Sequence, residues 1–310
     1  MAMADNPGQW HVGLVGYGEV GRILAEDLRL RQVKVSAYDI KLDRADAAPL
    51  RDHAALHGVT LADSHQDLAR RADLIVSAVT ASQAVPVADA CAPAVRPGAW
   101  FLDFNSASPG AKQRAAELID GAGGRYVEGA VMTSVPPYRI KVPLLLGGAG
   151  AAALAPLLGE LGFAAKPASD KLGVASAVKM CRSVMIKGLE ALTVECFLTA
   201  RRYGVEDTII ASLDQSFPSL DWEKQVGYLA GRVVHHGRRR AAEMREVAMT
   251  VAGAGLEPLM ASATADRQDW VADVVALLPE LKTVEEREWR TILDRLLAHA
   301  DGAARRPAAQ

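Results

Sequence analysis

The chain has 310 residues, half of them apolar and only 5% aromatic, and its 35 basic and 37 acidic side chains leave a formal charge of −2. That length suits about two domains of roughly 150 residues each, and the apolar share is enough for their cores, which excludes a disordered chain. Nearly balanced charge, with one short basic run "HHGRRR" at 235–240, argues against a nucleic-acid or membrane-surface partner.

Cys91, Cys181 and Cys196 lie far apart without metal-ligand spacing, so neither a disulfide framework nor a metal site is expected. The opening "MAMADNPGQW" lacks the basic start and apolar core of a signal peptide. No apolar run reaches the ~18 residues that a membrane-spanning helix needs. A soluble cytoplasmic protein is the expectation.

In chain order, the apolar run "HVGLVGYG" (11–18) ends in glycines and leads into the helical pattern "EVGRILAEDLRL". Apolar runs return at "VKVSAYDI" (33–40), "ADLIVSAV" (72–79), "AWFLDFNSAS", "RYVEGAVM" and "KVPLLLGG", with helical stretches such as "GAKQRAAELIDGA" between them. Continuous apolar runs alternating with helices mark parallel strands covered on both faces. Residues 8–168 are therefore predicted to form an α/β domain, a Rossmann-type doubly wound parallel sheet.

After "GFAAKPASD" the strand pattern stops. Residues 171–203 carry only Gly173 and Gly188 as breakers and are predicted to be one long helix. The segments beyond have helical spacing, punctuated by Pro218, Gly237, 255–258 and Pro279, so 169–302 is predicted to be an all-helical C-terminal domain. The end, 300–310, reads as a frayed tail.

"GYGEVG" sets Gly16, Gly18 and Gly21 in G-x-G-x-x-G register between a strand and a helix, with Tyr17, Glu19 and Val20 completing the loop. Glycines there permit a tight turn, close approach of backbone to a pyrophosphate, and close helix–strand packing, while the helix start offers free N–H groups. Asp39 follows at the end of the second strand, where a carboxylate meets the adenosine ribose hydroxyls. Thr80, directly after the third apolar run, is assigned to the same cofactor. Asp39 favours NAD because a carboxylate repels a 2′-phosphate, although Lys41 and Arg44 leave NADP open.

Three motifs, "GLVGYGEVGR", "FLDFNSASP" (101–109) and "GVASAVKMCRS" (173–183), together resemble the β-hydroxyacid dehydrogenase superfamily, which includes 3-hydroxyisobutyrate and 6-phosphogluconate dehydrogenases. The likeness spans most of the chain and is greatest to a 6-phosphogluconate-dehydrogenase-like branch with its own type of helical C-terminal domain. It implies an NAD(P)-dependent oxidoreductase moving a hydride between a nicotinamide and a small hydroxy acid, or its keto or semialdehyde form.

The resemblance implies that Lys179 is the general acid/base and that Asn105 and Ser106 line the substrate and nicotinamide. Read without it, Ser108–Pro109 is simply a helix N-cap and first turn. The chain departs from the family pattern at three places. Met132, Thr133 and Ser134 replace the Ser-Gly-Gly carboxylate loop, with Thr133 and Ser134 offering hydroxyls instead. Ser183 stands where the family has asparagine. Ala242 and Glu243 replace a Lys-Asp pair, for which Arg239 or Arg240 is a candidate substitute as a fork onto a carboxylate; the other reading is solvated arginines on a helix starting after Gly237.

On a helix advancing about 100° per residue, Ser183, Lys187 and Glu190 fall within roughly 80° of Lys179. Alone, this pattern fits either a reaction face or a wet stripe with Lys187 and Glu190 as an i, i+3 pair. An ordinary lysine titrates near ~10.4, so a catalytic role requires burial or neighbouring cations. An imine reductase on the same fold and a non-catalytic dinucleotide sensor are the competing functions. A homodimer or larger assembly follows from the family resemblance.

Overall fold

The protein is described here by a computed structural model covering residues 6–304, so the extreme tail, 305–310, lies outside the described residues. Two compact units divide between Met180 and Cys181. The first contains β1 (His11–Val15), α1 (Glu19–Leu30), β2 (Lys34–Tyr38), α2 (Ala48–His57), β3 (Thr60–Leu61), α3 (His65–Arg71) and β4 (Leu74–Ser77). It continues with α4 (Ala84–Cys91), β5 (Trp100–Asp103), α5 (Pro109–Gly121), β6 (Arg125–Val131), β7 (Leu144–Gly147), α6 (Ala151–Glu160) and β8 (Ala165–Ser169).

These strands form one eight-stranded sheet in the order β3-β2-β1-β4-β5-β6-β7-β8. Successive side chains point to opposite faces, so Leu14, Val76 and Leu102 join one core cluster while Val15, Ile75 and Phe101 join the other. Both faces are covered, which is why the strands read as continuous apolar runs. One pair departs from the parallel pattern expected: β6 and β7 are antiparallel. The segment between them holds only a short 3-10 turn, Arg139–Lys141, and lacks the crossover helix that a parallel connection requires.

Helix α7 (Val174–Tyr203) starts later than the predicted 171. Gly173, with φ +91, turns the chain just before it. The first helical residues are bonded to the sheet domain, and the division between the units falls inside the helix rather than at 168/169.

The second unit continues through α8 (Glu206–Ser216), α9 (Trp222–Gly253), α10 (Leu259–Leu277) and α11 (Trp289–Ala304), so the start of the predicted frayed tail is helical. Phe197, Trp222, Val226, Val233, Trp289 and Leu293 are in its core. Among the described residues no helix is long and apolar enough to cross a membrane.

Gly237 does not break α9. A Cβ there would lie 2.8 Å from the Gln268 carbonyl oxygen of α10, so the missing side chain lets the two helices approach closely. That packing offsets the roughly 1 kcal/mol that an interior glycine costs a helix.

Of the stripe that the projection left open between a reaction face and a wet one, Ser183, Lys187 and Glu190 are buried. Glu190 is fully buried; Arg240 Nη1 lies 2.5 Å from both its oxygens, and Gln268 Nε2 at 3.2 Å. Lys187 does not pair with Glu190: its Nζ lies 2.8 Å from Glu243 and 3.1 Å from Ser183 Oγ. A carboxylate enters such a core only with a cation beside it, and that requirement occupies Arg240.

Replacing one partner, as in Glu190→Gln, leaves Arg240 buried and uncompensated and is expected to cost about 3–5 kcal/mol in urea unfolding. The paired replacement Glu190→Leu with Arg240→Met should cost markedly less. In the sheet unit, burial first and Lys34 second pull the His11 imidazole down to about 4. Between an unfolded value of ~6.5 and that value the unfolded chain carries the extra proton. Stability is therefore full above that window and falls on acidification, by up to about 1.4 kcal/mol per pH unit from this group. Urea midpoints measured across it should fall less steeply in His11→Gln.

Candidate active site

Sheet order reverses between β1 and β4, and ligands of doubly wound folds bind at the carboxyl ends of strands at such a switch point. The loop after β1 is built for close approach. Gly16 has φ +90, and a Cβ on it would strike the Ala78 carbonyl; a Cβ on Gly21 would strike the Gly16 carbonyl. Gly18, the N-cap of α1, faces open space. The first N–H groups of α1 have no partner within the helix and point to that end. This is a cradle that fits a pyrophosphate.

Asp39 ties the second strand to the loop. Its Oδ2 accepts from Tyr17 N at 2.8 Å and its Oδ1 from Lys41 N at 2.9 Å. A carboxylate has about four acceptor positions, so lone pairs remain for ribose hydroxyls. Tyr17 contributes backbone only, since its side chain is fully buried with its hydroxyl 2.8 Å from His53 Nδ1. Glu19 is exposed and Val20 half-buried at the start of α1, and Thr80 is exposed after β4.

Asn105 turns inward instead of lining an open pocket. It is 3% exposed; its Nδ2 donates to Ser77 Oγ at 2.9 Å and its Oδ1 accepts from Val79 N at 2.6 Å. The side chain thus pins the loop after β5 to the loop after β4. Ser106, the next residue, is half-buried, and its Oγ lies 2.5 Å from Lys179 Nζ. The structure therefore brings together two residues 73 positions apart in sequence.

Thr133 and Ser134 are exposed on the loop between β6 and β7. Ser183 and Arg240 belong to the second unit, where Ser183 is buried beside Lys187 and Arg240 is taken up by Glu190. Arg240 is thus not presented as a fork for a carboxylate; its two exposed neighbours, Arg238 and Arg239, pair with Asp269, Asp273 and Glu243.

Two positioning groups escaped sequence reading. Lys112 on α5 is buried with its Nζ 2.9 Å from Asp103 Oδ1, and Asp103 also accepts from Asn105 N at 2.9 Å and Tyr126 Oη at 2.7 Å. Burial, then the Asp103 charge, holds the Tyr126 hydroxyl well above its usual range, keeping it a donor. Glu128 on β6 is also fully buried and accepts from Gly173 N at 2.8 Å, Ala175 N at 3.0 Å and Ser176 Oγ at 2.8 Å. Their only sequence signal was a charge inside an apolar strand or a helix face.

Residues 11–154 match the family model for the NAD binding domain of 6-phosphogluconate dehydrogenase, and residues 200–271 match a domain of unknown function, DUF1932. A solved conserved hypothetical protein from Sinorhizobium meliloti 1021 is 35% identical, covering 92% of this chain and 96% of its own with a TM-score of 0.75. A second conserved protein, whose structure is described as similar to 3-hydroxyacid dehydrogenases, is 29% identical, covering 85% and 97% with a TM-score of 0.68. The mitochondrial 3-hydroxyisobutyrate dehydrogenase of Drosophila melanogaster is 23% identical over 73% of this chain and 69% of its own length. The chain thus belongs to one family with the Sinorhizobium meliloti protein, and it joins a domain matching the NAD binding domain of 6-phosphogluconate dehydrogenase to a DUF1932 domain.

Proposed function

We propose that the protein is an NAD(P)-dependent oxidoreductase that interconverts a small hydroxy acid and its keto or semialdehyde form, with Lys179 as general acid/base. The observation that carries this reading is the Lys179–Ser106 contact, in the same unit as a complete phosphate loop. Gly16, Gly18, Gly21 and the start of α1 would hold the pyrophosphate, Asp39 the adenosine ribose, and Thr80 would border the same ligand. When bound, the nicotinamide supplies the hydride acceptor or donor.

The chain's own part is proton handling and orientation. In the oxidising direction Lys179 Nζ, unprotonated, takes the proton of the substrate hydroxyl; in reduction the ammonium returns it to the new alkoxide oxygen. Ser106 Oγ holds the lysine nitrogen in place. Asn105 acts one layer back, fixing the Ser106 backbone by its bonds to Ser77 and Val79. Thr133 and Ser134 are the hydroxyls assigned to the substrate, in place of the family's glycine loop; Ser183, which accepts from Lys187, is left out of that assignment. NAD is the favoured cofactor because of the Asp39 carboxylate. The free cysteines support a reducing, cytoplasmic location, and exposed Met185 and Leu189 on α7 support self-association.

A panel of small hydroxy acids, assayed with NAD and with NADP, should reveal turnover with at least one member. Lys179→Ala should lower kcat by about 10²–10⁴ while NADH affinity stays within about twofold. Retained kcat, or activity on cyclic imines that survives the substitution, would contradict the role. Asp39→Ala should reduce the preference for NAD over NADP; an unchanged ratio of kcat/KM values would contradict the ribose assignment.

A further inference from the structure

On α2, His53 and His57 are four residues apart, which places both imidazoles on one face of the helix. Their ring centroids are 4.4 Å apart, tilted by 33°. Glu26, on α1, reaches the same spot with Oε1 2.9 Å from His53 Nε2. One ligand atom from each of the three lies within 4.8 Å of the others, and all three residues are half-buried. None of them has a part in the reaction proposed above.

The surroundings of this triangle are ordered for a ligand set. The other Glu26 oxygen, Oε2, takes Arg139 Nη2 at 2.6 Å, which fixes the carboxylate and leaves Oε1 facing the histidines. Arg139 is shared with Asp27, whose Oδ1 lies 2.9 Å from its Nε, so the guanidinium does not cancel the Glu26 charge alone. On the far side of the His53 ring, Nδ1 lies 2.8 Å from the buried Tyr17 hydroxyl. A ligating imidazole needs such an outer partner to fix its tautomer, with Nδ1–H donating outward and the Nε2 lone pair facing the ion.

We propose that Glu26, His53 and His57 bind one divalent transition-metal ion of the zinc class, linking α1 to α2. Two imidazoles and one carboxylate form an N₂O set that suits zinc, with a fourth position left for water. Magnesium and calcium prefer all-oxygen sets, so they are excluded as ligands of this site. Donor atoms sharing a tetrahedral ion at ~2.0–2.1 Å lie roughly 3.3 Å apart, a contraction that side-chain rotation can supply. On binding, the ion takes the place of the hydrogen bond between His53 Nε2 and Glu26, and the Tyr17 hydroxyl accepts from Nδ1–H. The site thus fixes the side chain of a phosphate-loop residue.

The test uses the untagged full chain with Cys181→Ser and Cys196→Ser, because these exposed thiols are competing metal ligands. After treatment with chelator, titration calorimetry with zinc sulfate at neutral pH should show one equivalent bound, and cobalt(II) should give the visible absorption of a tetrahedral site. His57→Ala and Glu26→Gln should each weaken zinc binding about tenfold or more. Far-UV circular dichroism checks that each variant is folded, and Glu26→Gln, which preserves shape, decides the matter if His57→Ala is not. Absence of a stoichiometric zinc site, or zinc affinity unchanged in the folded variants, would overturn the proposal.

Discussion

A buried carboxylate sets the start of the helix on which the proposed chemistry depends. Glu128 extends from β6 and takes the backbone N–H of Gly173, just before α7, and a backbone N–H and a hydroxyl from its first turn. Those N–H groups have no partner within the helix, and the positive end of the helix dipole faces the charge. The exchange satisfies both sides: a carboxylate that would be costly to bury gains three donors, and a long helix gains a fixed origin. Charge-assisted bonds of this kind are roughly twice as strong as neutral ones. Lys179 lies on the second turn, so its place beside Ser106 is inherited from this cap.

The partner loop is held by a second buried charge. Asp103 sits at the end of β5 and accepts from Lys112, Tyr126 and the backbone of Asn105. Asn105 then spans to Ser77 and Val79 on the neighbouring strand end. Ser106 therefore stands on a rigid base, and its hydroxyl meets the lysine without needing to be ordered by substrate. Sites built on such supports lose little conformational freedom when a ligand arrives. In the second unit the same device recurs for a different purpose: Glu190, Arg240 and Gln268 tie α7, α9 and α10 together in the core.

How much of this was readable in the sequence follows from what each signal measures. The glycine turn after β1 was legible because backbone sterics demand glycine at Gly16 and Gly21 in any context. The inner strands were legible because burial on both faces leaves continuous apolar runs, whereas β3 and β8, less buried at the two edges of the sheet, left none. The antiparallel β6–β7 pair was not, since run composition carries no direction; only the missing crossover helix in 132–143 hinted at it. Lys187 and Glu190 were ambiguous because a helical projection cannot distinguish water from a partner helix carrying the opposite charge. Gly237 misled for the same reason: its small size serves packing against Gln268, a contact that local propensity cannot register. Asn105 was expected to line a substrate, and sequence could not show that its amide faces inward onto Ser77 and Val79.

The account turns on whether Lys179 moves a proton, and chemical rescue addresses that step directly. Lys179→Ala should regain turnover when small alkylamines are added, with rate constants that rise with the concentration of the unprotonated amine and with its basicity. NADH affinity should be unaffected by the amines. A variant that binds NADH normally, yet is either fully active without amine or not restored by any of them, would contradict the role of this lysine.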